Sequence, residues 1–172
     1  YSVKALIPLI SWSLVTGILI GWTFDPTGNR IEGNLIGLDN EGKNVVMNDH
    51  GVSIYHASEN IIGGEWPDLR NVISGNKAQN VLIFGPYAKK NKILGNYIGL
   101  LPNGMESPPM DIVTHEGVRI GGGAAENEIG GLPPATGYPP GNVISGHRIG
   151  ILIHDGNKNK VMGNFIGPNA AE

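Results

Sequence analysis

The side chains of this chain that can move a proton or hold a cation are few and scattered. The imidazoles worth weighing are His50, His56, His115 and the pair His154-Asp155. An acid–base group must come within about 2.6–3.2 Å of the proton it moves. Asp39, Glu41 and Asp49 fall in one short stretch and offer the oxygen ligands that calcium takes. A weak calcium site there is the one cofactor these residues suggest. With no Cys among 172 residues, disulfides and thiolate metal centres are excluded. There is no Gly-Lys-Ser/Thr phosphate loop and no His-Glu-x-x-His string. Lys89, Lys90 and Lys92 are the densest basic run, without interleaved aromatics, and the net charge is −3; nucleic acid is not an expected partner. Trp22, Tyr55 and Trp66, with Tyr87, Tyr97 and Tyr138, are broad amphipathic rings of the kind that stacks on sugar faces. The first three are the candidate glycan contacts.

Whether any of these groups meet depends on the elements that carry them. The 27 Gly and 12 Pro argue against helices, whose interiors both residues break. The chain instead repeats. Gly17-Ile-Leu-Ile20, Gly51-Val-Ser-Ile54, Asn80-Val-Leu-Ile83, Gly117-Val-Arg-Ile120 and Gly150-Ile-Leu-Ile153 begin 34, 29, 37 and 33 residues apart. Each is followed by an Asn-x-apolar triplet, at Asn29, Asn60, Asn91, Asn127 and Asn159. A third segment alternates in type. Gly33-Asn-Leu-Ile-Gly37, Gly95-Asn-Tyr-Ile-Gly99 and Gly163-Asn-Phe-Ile-Gly167 alternate with Asn71-Val-Ile-Ser-Gly75 and Asn142-Val-Ile-Ser-Gly146.

Three short strands per unit, repeated at this spacing, pair best with the same strand one unit along, about 4.8 Å away. The expected fold is therefore all-β: a right-handed parallel β-helix, one domain over residues 1–172. It has about five coils plus a partial N-terminal coil. The excursions Leu38–His50, Glu65–Arg70, Leu100–Glu116 and Leu132–Pro140 are expected on one side. Ile31, Ile62, Ile93, Ile129 and Val161 form an inward column, each worth roughly 1.5–3 kcal/mol on burial. The Asn column just before it is expected at a turn, in the left-handed conformation Asn tolerates, with its amides bonded coil to coil as a ladder. A bend is expected near Val52 or Ile54, on the view that alternation stops both from facing inward.

The run from Ala5 to Trp22 carries no charge and follows Lys4, as in a secretory signal or short anchor. Yet Leu9-Ile10-Ser11 stands ten residues before Ile20, as Val72-Ile73-Ser74 stands ten before Ile83. The run therefore reads as the third strand of a preceding coil, and no membrane span is expected.

In this frame the positions after the first strand read Gly21-Trp22, Tyr55-His56, Phe84-Gly85, Gly121-Gly122 and His154-Asp155. No acid–base constellation assembles in that column, and His50 and His115 stand roughly 10 Å apart, two coils away from each other. No catalytic residue is assigned, and the expectation leans away from an enzyme.

The alternation of Gly-Asn-x-Ile-Gly with Ile62-Gly-Gly64…Arg70-Asn-Val-Ile-Ser-Gly-Asn76 resembles bacterial right-handed β-helix repeat proteins, from about Leu9 to Gly167. The resemblance implies the fold and a secreted or cell-surface location. It implies function poorly, because the architecture hosts pectate lyases, epimerases, phage tailspikes and adhesins. A Thr-Asp pair usually follows the Ile-Gly of that family; here Leu38-Asp39, Leu100-Leu101 and Pro168-Asn169 follow. Trp22-Thr-Phe-Asp-Pro26 is similar to the Tyr-Gly-x-Asp-Pro-His motif of alginate epimerases, but Thr27 replaces the His, and Asp25-Pro-Thr-Gly28 reads as a turn.

Neither end shows a capping helix, and uncapped coil faces are templates for strand addition. The functional expectation is a non-enzymatic extracellular scaffold, either a head-to-tail filament subunit or a segment of a surface adhesin. The alternative is a carbohydrate-binding or carbohydrate-active protein. Expected partners are copies of the chain end to end, or glycans.

Overall fold

The computed structural model describes residues 2–3, 9–10, 16–21, 26–109, 114–132 and 140–167. Trp22, Tyr138, and Thr23 to Asp25 of the epimerase-like string lie outside the described residues.

The strands run β1 (Ser2–Val3), β2 (Leu9–Ile10), β3 (Thr16–Gly21), β4 (Arg30–Ile31), β5 (Leu35–Ile36), β6 (His50–Tyr55), β7 (Ile61–Gly63) and β8 (Val72–Ile73). They continue with β9 (Gln79–Phe84), β10 (Lys92–Leu94), β11 (Tyr97–Ile98), β12 (Thr114–Gly121) and β13 (Glu128–Gly130). The last four are β14 (Val143–Ile144), β15 (His147–His154), β16 (Lys160–Met162) and β17 (Phe165–Ile166). The one helix among the described residues is a 3-10 turn, Pro67–Leu69.

Every strand pairs in parallel with its counterpart one repeat away, giving three stacked sheets. The first is β1-β4-β7-β10-β13-β16, the second β2-β5-β8-β11-β14-β17, and the third β3-β6-β9-β12-β15. The molecule is a parallel β-solenoid. Its closed turns number about four, from β3 round to β15. That is slightly fewer than the five coils expected, because five stacked strands enclose only four turns between them. The apolar N-terminal run enters this scheme: Leu9 and Ile10 pair with Leu35 and Ile36.

The interior is a set of aliphatic columns. Ile31, Ile62, Ile93 and Ile129 form one and are buried; Ile36, Ile73, Ile98 and Ile144 form a second. Val52, Val81 and Val118 with Ile54, Ile83 and Ile120 line the third sheet. Ala57, Ala88 and Ala124 fill the tight corner between the third and first sheets. Val161, the last member of the first column, is 42% exposed because no described coil lies beyond it.

The expected bend near Val52 or Ile54 needs correction. These residues are two apart on one strand, so they share a face, and both are fully buried. The break in alternation falls one residue earlier. A Cβ on Gly51 would come within 2.6 Å of Ile73 Cγ2, so positions 51 and 52 both face the interior. Glycine is required there for close approach.

The left-handed assignment of the Asn column also needs correction. The residue before each Asn takes that conformation: Gly28, Glu59, Lys90, Glu126 and Lys158 have φ of 69°, 59°, 55°, 60° and 55°. Turning one residue early leaves the Asn free to begin the strand and aim its carboxamide along the solenoid axis.

Excursions leave at the two corners that flank the second sheet, after strands of the first and second sheets. The excursion after β5 closes on itself through an antiparallel Leu38–Val45 bridge. Among the described residues no helix is long and apolar enough to cross a membrane.

Candidate functional site

Two carboxamide ladders run through the interior corners. In the expected one, Asn29, Asn60, Asn91 and Asn127 each donate Nδ2–H to Oδ1 of the next Asn at 2.8, 3.0, 2.9 and 2.9 Å. The backbone N–H of each donates to the same oxygen. Nδ2 of Asn91, Asn127 and Asn159 also donates to a carbonyl one coil back, at Ala57, Ala88 and Ala124. A second ladder of the same design joins Asn34, Asn71, Asn96, Asn142 and Asn164 at 2.8–3.0 Å. Its residues stand in the quoted third segments, and the matching Asn of both segment types was the signal for it. Inner rungs satisfy both amide protons and the carbonyl with no water, which makes each rung costly to remove.

The outer side of the third sheet carries a cluster of rings beside polar groups. Tyr55 and Phe84 are partners in register on β6 and β9, with ring centroids 6.0 Å apart at 52°. On the adjoining corner His56 and Tyr87 make a similar pair at 6.0 Å and 54°. Two of these rings lean over glycine backbone of the following coil: a Cβ would meet the His56 ring at Gly85 and the Phe84 ring at Gly122. Phe84 is 36% and Tyr87 65% exposed. Beside them Tyr55, Gln79, Leu82, Phe84 and Arg119 line an open depression of about 200 Å³.

The polar edge of that depression is organised. Gln79 Nε2 donates to Glu116 Oε2 at 2.6 Å, and Arg119 stands 3.8 Å from Glu116 Oε1. Both Glu116 and Gln79 are buried. Gln79 also hydrogen-bonds His50, whose pKa is lowered by burial against the opposing effects of Asp49 and Gln79. An amide thus separates imidazole from carboxylate, and an amide does not relay a proton. The arrangement suits recognition: flat rings for apolar faces, and an amide, a carboxylate and a guanidinium for hydroxyls.

Of the other residues singled out, Trp66 is 59% exposed at the start of the 3-10 turn, away from this face. The Tyr97 ring is covered by the Arg70 guanidinium, 4.0 Å from its centroid. Asp39 binds the Lys43 backbone N–H at 2.8 Å and Asn44 Nδ2 at 2.6 Å, and these bonds lower its pKa. The Lys43 ammonium pairs with Glu41, and Asp49 pairs with Lys77, so the three acids are not gathered on one centre. Among the described residues no three His, Asp or Glu side chains gather as a metal-holding group. Ion pairs there all join Lys or Arg to an acid. Lys92 and Lys160 flank Glu128 at 3.2 and 3.6 Å.

The Gln79–Glu116–Arg119 cluster and Phe84 were not among the candidates, and Tyr87 was weighed only as one of several rings able to stack on a sugar. Their grouping depends on the register of the third sheet, which unequal repeat lengths obscure. Comparison with protein-family models, with curated proteins and with solved structures returned no match.

Proposed function

We propose that this solenoid is an extracellular or cell-surface scaffold of the bacterial β-helix repeat kind, acting without catalysis through coil-on-coil association with further copies. The observation that carries the reading is the stacking itself: each coil joins the next through parallel strand pairings in three sheets and through the rungs of two Asn ladders. A coil of one copy laid on a coil of another by the same geometry would give a heterologous contact that propagates. Negative-stain electron microscopy tests this: fibres or rods of several copies support it, and single short rods at high concentration contradict it.

A second reading has its own support in the Tyr55, Phe84, His56 and Tyr87 rings beside Gln79 and Arg119. In it, the outer side of the third sheet binds carbohydrate, as a surface adhesin would. A glycan array with the purified protein is the test, and absence of binding to any array member contradicts it.

A further inference from the structure

His147 follows Val143-Ile-Ser-Gly146 as Asn76 follows Val72-Ile-Ser-Gly75. It ends a third line of buried amides at the corner between the second and third sheets. Asn48 Nδ2 donates to Asn76 Oδ1 at 2.9 Å, Asn76 Nδ2 to Asn80 Oδ1 at 2.7 Å, and Asn80 Nδ2 meets His147 Nε2 at 2.7 Å. The direction of this line is fixed. Asn76 Nδ2 also faces the Ile36 and Ser74 carbonyls at 3.4 and 3.3 Å, so that amide cannot turn without opposing oxygen to oxygen. Asn80 must therefore present Nδ2 to the ring. His147 Nε2 is the acceptor, and the proton of the neutral ring sits on Nδ1. Nδ1 is buried and has no hydrogen-bond partner among the described residues.

We propose that the Asn80–His147 contact is a proton-operated latch that holds the corner between β11, β12 and β15 closed while the ring is neutral. A proton on Nε2 would set two donors against each other at 2.7 Å. The clash cannot be relieved by turning Asn80, because Oδ1 would then leave Asn76 Nδ2. The imidazolium must leave the contact, and the residue is half-buried, so solvent lies on one side of it. Departure of the ring uncovers bare backbone: a Cβ on Gly99 would lie 2.3 Å from His147 Cε1, and one on Gly117 3.1 Å from Nδ1. Gly99 follows β11 and Gly117 lies in β12, so the latch controls how those two strands meet at the corner.

Among the described residues the neighbouring segments supply no counter-charge. The charged or titratable groups around it are Lys77 beside Asn76, Glu106 in the excursion, His115, Glu116 and Arg119 on β12, and Arg148 on its own strand. Lys77 pairs with Asp49, and Glu116 is held by Gln79 and Arg119. Burial lowers the His147 pKa, to about 4. The sign follows: the folded state resists a proton that the unfolded chain accepts near 6.5. The stability held by this contact is full above about pH 6.5, declines as pH falls towards 4, and is level below that.

The test is hydrogen exchange and ring-proton NMR on the whole chain, with His147→Asn as comparison. In the wild type, protection of the Gly99 and β12 amides is expected to fall on the order of 100-fold between pH 6.5 and 4. His147→Asn, which restores the residue found at position 76, should lack that fall. An equal fall in both proteins would assign it to carboxylates and overturn the proposal, as would a His147 titration near 6.5. If His147→Asn does not fold, Asn80→Gly, the residue at positions 51, 117 and 150, serves instead. It should raise the His147 titration midpoint by at least one unit, and an unchanged midpoint overturns the proposal.

Discussion

Asn127 Oδ1 accepts two protons from Asn91, one from its backbone N–H and one from its carboxamide, both at 2.9 Å. The same double contact recurs at every rung of both ladders, and it explains why residues 36 apart in sequence hold a fixed register. Replacing Asn91 by Ala strands the Asn60 donors and the Ala57 carbonyl in the interior. Each buried orphan costs about 1–3 kcal/mol, so urea unfolding should show a loss of about 3 kcal/mol or more. Asn159→Ala, at a half-buried rung, should cost clearly less. Equal losses would contradict the ladder account.

A backbone contact sets a sharper limit at Gly63. It has φ of 82°, and an added Cβ would lie 2.0 Å from the Leu94 carbonyl oxygen. Gly63→Ala should abolish folding or shift the thermal midpoint severely. Gly28 has φ of 69°, but a Cβ there would meet nothing within 4 Å among the described residues, so Gly28→Ala should cost only the left-handed penalty, about 1–2 kcal/mol. Comparable melting of the two variants would contradict the packing of the first-sheet corners.

The Asp39 loop carries a pH prediction of defined sign. Its carboxylate is stabilised by the Lys43 N–H and Asn44 Nδ2, which hold its pKa below 3.8. The loop contact is then fully present above pH 3.8 and lost only as pH falls through the lowered value. Carbon-detected NMR of the Asp39 carboxyl should give a midpoint below 3.8. A midpoint at or above that value would contradict the hydrogen bonds at this turn.

Much of the fold is legible in the residues because its determinants are local and recurrent. An Asn followed two residues later by Ile or Val marks the first-sheet corner in every coil, and Ile36, Ile73, Ile98 and Ile144 each precede or closely follow a glycine or Ser-Gly turn. The outer face of the third sheet was less legible. Which residues share a column there depends on the break at Gly51 and on excursions of different length, so Gln79, Glu116 and Arg119 look unrelated in sequence. His147 is visible as a substitution for an Asn. Its partner Asn80 stands where other coils have Gly, and only the stacked coils bring the two together.

If the third-sheet face binds glycans, the rings carry the contact. Phe84→Ala should lower affinity on the order of 10-fold or more, by loss of stacking area, with the thermal midpoint little changed at this partly exposed position. Trp66→Ala, on another side of the solenoid, should leave binding unaltered. Loss with Trp66→Ala but not Phe84→Ala would move the site away from the third sheet.

The central claim is that copies of the chain associate coil on coil. Sedimentation velocity over a hundredfold concentration range, on the wild type and on Ile166→Lys, tests it most directly. The account predicts a wild-type coefficient that rises with concentration, and a variant that stays at the single-chain value with its circular dichroism spectrum intact. A wild type that stays at the single-chain value throughout, or a variant that associates equally well, would contradict it.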